Sequence, residues 1–234
     1  MIDFHSHIFP GIDDGSGSLE ESLRLIAALG EQGAETVAAT PHFYATRQTP
    51  AFFLERRAQA LEQLTASAGE NAPTIIPGAE VLYYPGVSRM QELNRLCLGG
   101  TDLLLLEMPF EPWSESMLRE LLELAGSGRV TVILAHIDRY YSMQSVKVWD
   151  SLLEAGVLMQ LNADAFLRFR SRRTALRLMR EGRVQLLGSD CHNMGDRPPR
   201  LAEARQVIEK RLGPGILNEL DEFGRALLAE KIEV

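Results

Sequence analysis

Val130-Thr-Val-Ile-Leu-Ala-His136 is an apolar run broken only by Thr131, and it ends on a histidine. Its β-branched content predicts a strand, and its lack of polar alternation predicts a strand covered on both faces. Working outward, Leu103-Leu-Leu-Leu-Glu107 reads the same way and ends on a carboxylate. Val157-Leu-Met-Gln-Leu-Asn162 and Val184-Gln-Leu-Leu-Gly-Ser-Asp190 follow downstream. Upstream lie Thr36-Val-Ala-Ala-Thr40, interrupted by Pro41-His42, and the short run Thr74-Ile-Ile-Pro-Gly-Ala-Glu80. Ile2-Asp-Phe-His-Ser-His-Ile8 opens the chain with strand-like alternation.

Between the strands the apolar spacing becomes helical. Ser18-Leu-Glu-Glu21 has the spacing of a capping box, and the helix it starts should stop near Gly30 or Gly33. Further helices are expected from about Pro50 to Ala68, Ser114 to Ala125, Val146 to Ala155 and Ala165 to Arg180. Two amphipathic stretches, about Leu201–Arg211 and Ile216–Glu230, close the chain. Strands alternating with helices predict a parallel sheet wrapped in helices. Seven such units fit a barrel slightly smaller than the common eight-unit one. An open doubly wound sheet is the competitor, but no Gly-x-Gly-x-x-Gly follows any strand.

The chain has five histidines, His5, His7, His42, His136 and His192, each at or just past the C-terminal end of an expected strand. Glu80, Glu107 and Asp190 end three more runs, and Asp13 and Asp14 sit in the loop after the first strand. Residues i and i+2 of a strand share a face, so His5 and His7 can reach one point. In a parallel barrel the C-terminal strand ends converge on one mouth, which would gather these groups from across the chain. Imidazole and carboxylate suit Mn, Fe, Zn or Mg, and this many donors suits two or three ions with bridging carboxylates. Whether Asp13 or Asp14 ligates stays open. Arg139 and Arg197 follow ligand positions closely and suit phosphate recognition.

Composition narrows the rest. The 45% hydrophobic and 24% charged content places the 234 residues among soluble globular proteins. A formal charge of -8 argues against general nucleic-acid binding, so a phosphorylated substrate would need local positive charge. Cys97 and Cys191 suggest no disulfide framework. With no leader-like start and no apolar stretch near the ~18 residues of a membrane span, the expectation is a cytoplasmic protein without membrane insertion. Oligomeric state is not legible.

These residues together carry a resemblance. His5-x-His7 with Asp13-Asp14-Gly15, Thr40-Pro41-His42, Gly78-Ala-Glu80, Glu107, Ala135-His136-x-x-Arg139 and Ser189-Asp190-x-His192-Asn193 are similar to the PHP (polymerase and histidinol phosphatase) superfamily. The start Met-Ile-Asp-Phe-His-Ser-His, the Pro-Gly-Ile-Asp-Asp-Gly loop and Gln160-Leu-Asn-Ala163 resemble its bacterial capsule-type protein-tyrosine phosphatases, the CpsB/YwqE group. The resemblance implies a distorted (β/α)7 TIM-like barrel, the PHP fold, in a single domain over residues 1–234. It implies three divalent ions, manganese first, with iron, zinc or magnesium as alternatives. His5, His7, Glu80 and Asp190 would hold the first. Glu80, Glu107 and His136 would hold the second, and Asp14, His42 and His192 the third. Arg139 and Arg197 would grip phosphate. Two departures stand out: His136-Ile-Asp-Arg139 replaces the usual His-Pro-Glu-Arg, and Cys191 replaces a common alanine.

The expected activity is therefore phosphomonoester hydrolysis, most directly of phosphotyrosine on the tail of a bacterial tyrosine kinase in polysaccharide (capsule) biosynthesis. A metal-bridging hydroxide would attack in line, and a phosphocysteine route is disfavoured on the expectation that the Cys-x5-Arg signature of thiol phosphatases is lacking. The alternatives are a small-molecule phosphatase of the histidinol-phosphatase type and a non-catalytic, metal-bound regulatory or binding protein.

Overall fold

The computed structural model describes residues 1–232. In chain order the elements are β1 (Ile2–Ser6), α1 (Leu19–Glu31), β2 (Thr36–Ala39), β3 (His42–Phe43), α2 (Pro50–Ser67), β4 (Thr74–Pro77) and β5 (Glu80–Leu82). Two 3-10 turns lead to β6 (Leu103–Glu107), α3 (Glu115–Ala125), β7 (Thr131–Leu134) and α4 (Val146–Glu154). The chain closes with β8 (Leu158–Asn162), α5 (Ala163–Leu167), α6 (Phe169–Arg180), β9 (Leu186–Gly188), α7 (Leu201–Leu212) and α8 (Gly215–Ile232). Among the described residues no helix is long and apolar enough to cross a membrane.

All strand pairs are parallel, in the orders β1-β2-β4 and β3-β5-β6-β7-β8-β9. The nine strands are seven barrel positions, because two positions are broken into β2/β3 and β4/β5. Pro41 and Pro77, which have no amide hydrogen to give a ladder, sit at the two breaks. The breaks are stitched by Gly78 N donating to Ala39 O and Glu80 N donating to Pro41 O. Past them, His42 and Glu80 lie directly opposite each other in register. The curled sheet then meets its own start: Asp190 N donates to His5 O and His7 N donates to Cys191 O, at 2.8 and 2.9 Å. The expected distorted barrel of seven units is thus realised, with 3-10 turns in place of a helix after β5.

Two apolar layers explain why the strands read as unbroken runs. Leu103 and Leu105 join Phe4, Ala38, Ile133, Ala135 and Leu186 in an inner cluster, capped by Leu227 and Leu228 of α8. Leu104 and Leu106 face the opposite way, into the shell of helices. A register irregularity in β1 between Asp3 and Ser6 lets Phe4 join the inner cluster while His5 and His7 still reach the mouth.

Local details refine the expectations. Ser18 caps α1 by accepting from Glu21 N, but the Glu21 carboxylate reaches Gly17 N rather than closing the box on Ser18. The helix expected over 165–180 is two, broken at Arg168, which is extended. The Arg172 guanidinium satisfies the carbonyls of Phe166 and Leu167 where α5 ends. His136 is not the end of an extended strand; it and Asp190 adopt left-handed backbones, with φ of 32° and 52°. Such strain in non-glycine residues persists only where surroundings over-determine it.

β9 passes close against β1 at Gly188, where an added Cβ would lie 2.5 Å from His5 Cβ and 2.7 Å from Gln160 Nε2. Gly188→Ala should therefore destabilise the protein by about 1–3 kcal/mol, the usual cost of overpacking. Urea unfolding measures this, and an unchanged midpoint would show that the close approach is dispensable.

A candidate metal centre at the strand ends

The mouth of the barrel brings together all nine ligand candidates that the sequence offered. His5 Nε2 and His7 Nε2 lie 3.0 Å apart. Both are 3.2 Å from Glu80 Oε2, and they are 3.6 and 3.4 Å from Asp190 Oδ1. His136 Nε2 is 2.7 Å from Glu80 Oε1 and 3.4 Å from Glu107 Oε1. His42 Nδ1 approaches Glu80 Oε2 at 2.9 Å. On the outer side, Asp14 Oδ1 lies 3.5 Å from His42 Nε2 and 3.7 Å from His192 Nε2. Donor groups compact enough to hold an ion are His5/His7/Asp190, His5/Glu80/His136, His42/Glu80/Glu107 and His7/Asp14/His42/His192.

Orientation is set by residues behind the cluster. His7 Nδ1 donates to Asp13 Oδ2 at 2.7 Å, which points its Nε2 lone pair into the mouth. Such a carboxylate–histidine pair is typical support for a metal ligand. Asp13 also accepts from His42 N and Gly15 N. The two adjacent aspartates therefore do different work: Asp13 is a buried brace, and Asp14, 67% exposed, faces the donors. On the other side Gln160 Oε1 accepts from His136 N at 2.7 Å and pairs with His5 Nδ1 at 3.2 Å. Gln160 in turn donates to Asn162, which donates to Asp190 Oδ2. Asp3 accepts from Ser189 N and its hydroxyl, tying β1 to β9 beneath His5.

Electrostatics make the cluster hungry for positive charge. Burial disfavours the charge on Glu80, yet His5, His136 and His42 hold its carboxyl well below the usual range. The same contest, won by His5 and His7, keeps Asp190 ionised. Conversely, burial works against protonating His7 and His136, but neighbouring carboxylates raise both, His136 to about 9. His192 goes the other way, to about 3, through burial and its neighbours His7 and Arg197. Among the described residues, buried His136 Nδ1 and His192 Nε2 have no hydrogen-bond partner, and the close approach of His42 Nδ1 to Glu80 Oε2 lacks hydrogen-bond geometry. Unsatisfied imidazole nitrogens beside buried carboxylates are what divalent ions satisfy, so the residues fit metal binding.

The two arginines reach the same place from different loops. Arg139 Nη2 donates to Asp190 Oδ2 at 2.6 Å and Arg197 Nη2 pairs with Asp190 Oδ1 at 2.8 Å. Both stay about one-third exposed beside a cleft of about 120 Å³ that Asn162 and Asp190 also line. Asn193 Oδ1 accepts from Gly195, Asp196 and Arg197 amides and so shapes the loop that carries Arg197.

Some of this escaped the sequence reading. Gln160 and Asn162 are polar on one face of an apolar strand, which was a signal for inward-facing function. Asn193 stood in a motif quoted above without a role, and the bracing role of Asp13 had no comparable signature. One feature needs correction. Cys191 and Arg197 have the Cys-x5-Arg spacing of thiol phosphatases, so spacing alone does not exclude a phosphocysteine route. Burial does: Cys191 is fully buried in the apolar layer outside the sheet, and burial pushes its thiol up to about 12. Asp190 is left-handed rather than extended, but the thiol still lies away from the mouth.

A curled parallel sheet with nitrogen and oxygen donors at its strand ends defines a metal-binding α/β barrel. Comparison with known proteins makes this specific: the CpsB/CapC model of capsular polysaccharide synthesis matches residues 1–222, and the chain belongs to that family. It is 29% identical to tyrosine-protein phosphatase YwqE of Bacillus subtilis, covering 97% of this chain and 91% of that one. It is also 29% identical to tyrosine-protein phosphatase CpsB of Streptococcus agalactiae serotype III, covering 94% of each. Crystal structures of YwqE from Bacillus subtilis and CpsB from Streptococcus pneumoniae, metal-dependent tyrosine phosphatases, provide a match with TM-score 0.85 and 27% identity, covering 99% of this chain and 95% of that one.

A hydrolytic role for this cluster needs no thiol. Cys191→Ala and Cys191→Ser should keep most turnover of p-nitrophenyl phosphate. Loss of turnover in both variants, with metal content unchanged, would revive the thiol route.

Proposed function

We propose that this protein is a metal-dependent protein-tyrosine phosphatase acting as a single domain. Its substrate would be a phosphotyrosine segment of a bacterial tyrosine kinase that controls polysaccharide polymerisation in the cytoplasm. The observation that carries the reading is the convergence of nine nitrogen and oxygen donors and two guanidinium groups on one barrel mouth. The names of the relatives and the family's link to capsule synthesis point the same way.

We assign three divalent ions, manganese foremost. His5, His7, Glu80 and Asp190 would hold the first, Glu80, Glu107 and His136 the second, and Asp14, His42 and His192 the third. Divalent ions held there would supply Lewis acidity and a water of lowered pKa for phosphomonoester hydrolysis. Asp13 and Gln160 keep the His7 and His5 lone pairs aimed at the centre. Arg139 and Arg197 take the phosphoryl oxygens as charge develops, a role suited to their forked donors. Phe110, 47% exposed and 5.5 Å from the Arg139 guanidinium, offers an apolar wall for the tyrosine ring. A phenol leaves with a pKa of about 10, so it needs little help from a general acid.

Chelation with EDTA should abolish turnover of phosphotyrosine peptides, and manganese should restore it. Full activity in protein shown by elemental analysis to be metal-free would end this reading. Arg139→Ala and Arg197→Ala should each lower kcat/KM by roughly 30- to 1,000-fold, about 2–4 kcal/mol, with metal content and melting temperature near native. Lysine should recover only part, since it keeps the charge and loses the fork. Native kinetics in either alanine variant would remove that arginine from the site.

A further inference from the structure

A second groove, of about 470 Å³, opens beside the metal ligand candidates and is lined by Asp14, His42, Tyr44, Arg47, Phe52 and Arg56 among others. Its wall is the loop after β3 and the first turns of α2. The Tyr44 ring stacks on His42 with centroids 5.1 Å apart and planes at 26°. The Arg47 guanidinium sits 4.8 Å from the centre of the Tyr44 ring. A continuous stack thus leads from a ligand candidate outward to a cation.

Arg56 supplies a second cation on the same wall. Its guanidinium lies 5.8 Å from the ring of Phe52, which is 54% exposed, and its Nη2 donates to Gly11 O. Among the described residues neither Arg47 nor Arg56 has a carboxylate within ion-pair distance. The two cations at the mouth itself, Arg139 and Arg197, are by contrast both paired with Asp190. The two carboxylates of this groove are at its inner end and engaged there, Asp13 with His7 and Asp14 facing His42 and His192. On a chain of net charge -8, two arginines left without carboxylates along one groove make a local positive field that suits an anion.

We infer that Arg47 and Arg56 form a specificity subsite that receives an acidic side chain of the substrate polypeptide, within three residues of its phosphotyrosine. Arg47 is within about 10 Å of the His42 ring, a distance that an acidic side chain within three residues of a phosphotyrosine can reach. Aromatic rings beneath the guanidinium groups hold them in place and leave their N–H edges for a carboxylate. The inference rests on the phosphotyrosine-protein reading above.

The test uses the manganese-loaded full chain and three labelled peptides containing phosphonomethyl-phenylalanine, a phosphotyrosine mimic that cannot be hydrolysed. They carry Glu, Ala or Lys at the three positions on either side, and binding is followed by fluorescence anisotropy. The native protein should prefer the Glu peptide over the Lys peptide by on the order of 5- to 20-fold, since an exposed ion pair contributes up to about five-fold. The preference should shrink with added salt. Arg47→Glu and Arg56→Glu should each reduce it, and the double variant should reverse it. A gain in Lys-peptide binding cannot come from unfolding.

Equal affinities for the three peptides, or tightest binding of the Ala peptide as an apolar subsite would give, overturns the inference. So does a loss in Arg47→Glu that is the same for all three. Turnover of p-nitrophenyl phosphate by the native protein is followed in parallel. Absent turnover with a retained Glu preference would overturn the phosphatase reading and leave the subsite standing. Turnover without charge preference would do the reverse.

Discussion

Everything in this structure depends on keeping the Glu80 carboxylate in a nearly water-free place among four imidazoles. Its two oxygens lie within 3.2 Å of nitrogens from His5, His7, His42 and His136. A buried carboxylate is costly to hold unless opposite charge stands close by on rigid supports. The parallel sheet provides them. Glu80 and His42 are opposite residues of paired strands, so their separation is set by the ladder rather than by flexible side chains.

That demand explains otherwise odd features of the backbone. The two broken barrel positions, at Pro41 and at Pro77-Gly78, displace His42 and Glu80 from the lines of β2 and β4 toward β6. The left-handed backbones of His136 and Asp190 do similar work at the ends of β7 and β9. Strain at these positions is held by what surrounds them: Gln160 accepts from His136 N, and Asp190 N bonds across the closing seam to His5 O. The same seam gives Gly188 its close approach to His5, so barrel closure and site geometry are one packing problem.

The shells around the donors divide the labour. Asp13, Gln160 and Asp3 are buried and act on ring orientation and strand spacing. Asp14, Arg139 and Arg197 remain partly or largely exposed at the rim, where an incoming ligand meets them. Beyond the rim lie Tyr44, stacked on His42, and Arg47, whose guanidinium sits over the Tyr44 ring.

The sequence by itself determined the parallel architecture, because runs such as Leu103–Leu106 are apolar on both faces and only a sheet covered on both sides uses them. It also determined which residues meet at the mouth, since a polar group ending a parallel strand has one end of the barrel to go to. Sequence order could not reveal that Thr36–His42 and Thr74–Glu80 are each two strands, because the proline that breaks a ladder does not say where the chain rejoins it. Nor could it separate Asp13 from Asp14, adjacent and chemically identical. Only the fold decided that Asp13 turns inward to His7 while Asp14 faces His42 and His192. The Cys191-x5-Arg197 spacing makes the same point in reverse. The two residues have the order of a catalytic pair, and tertiary packing buries the thiol on one side of the sheet while the guanidinium reaches Asp190 at the mouth.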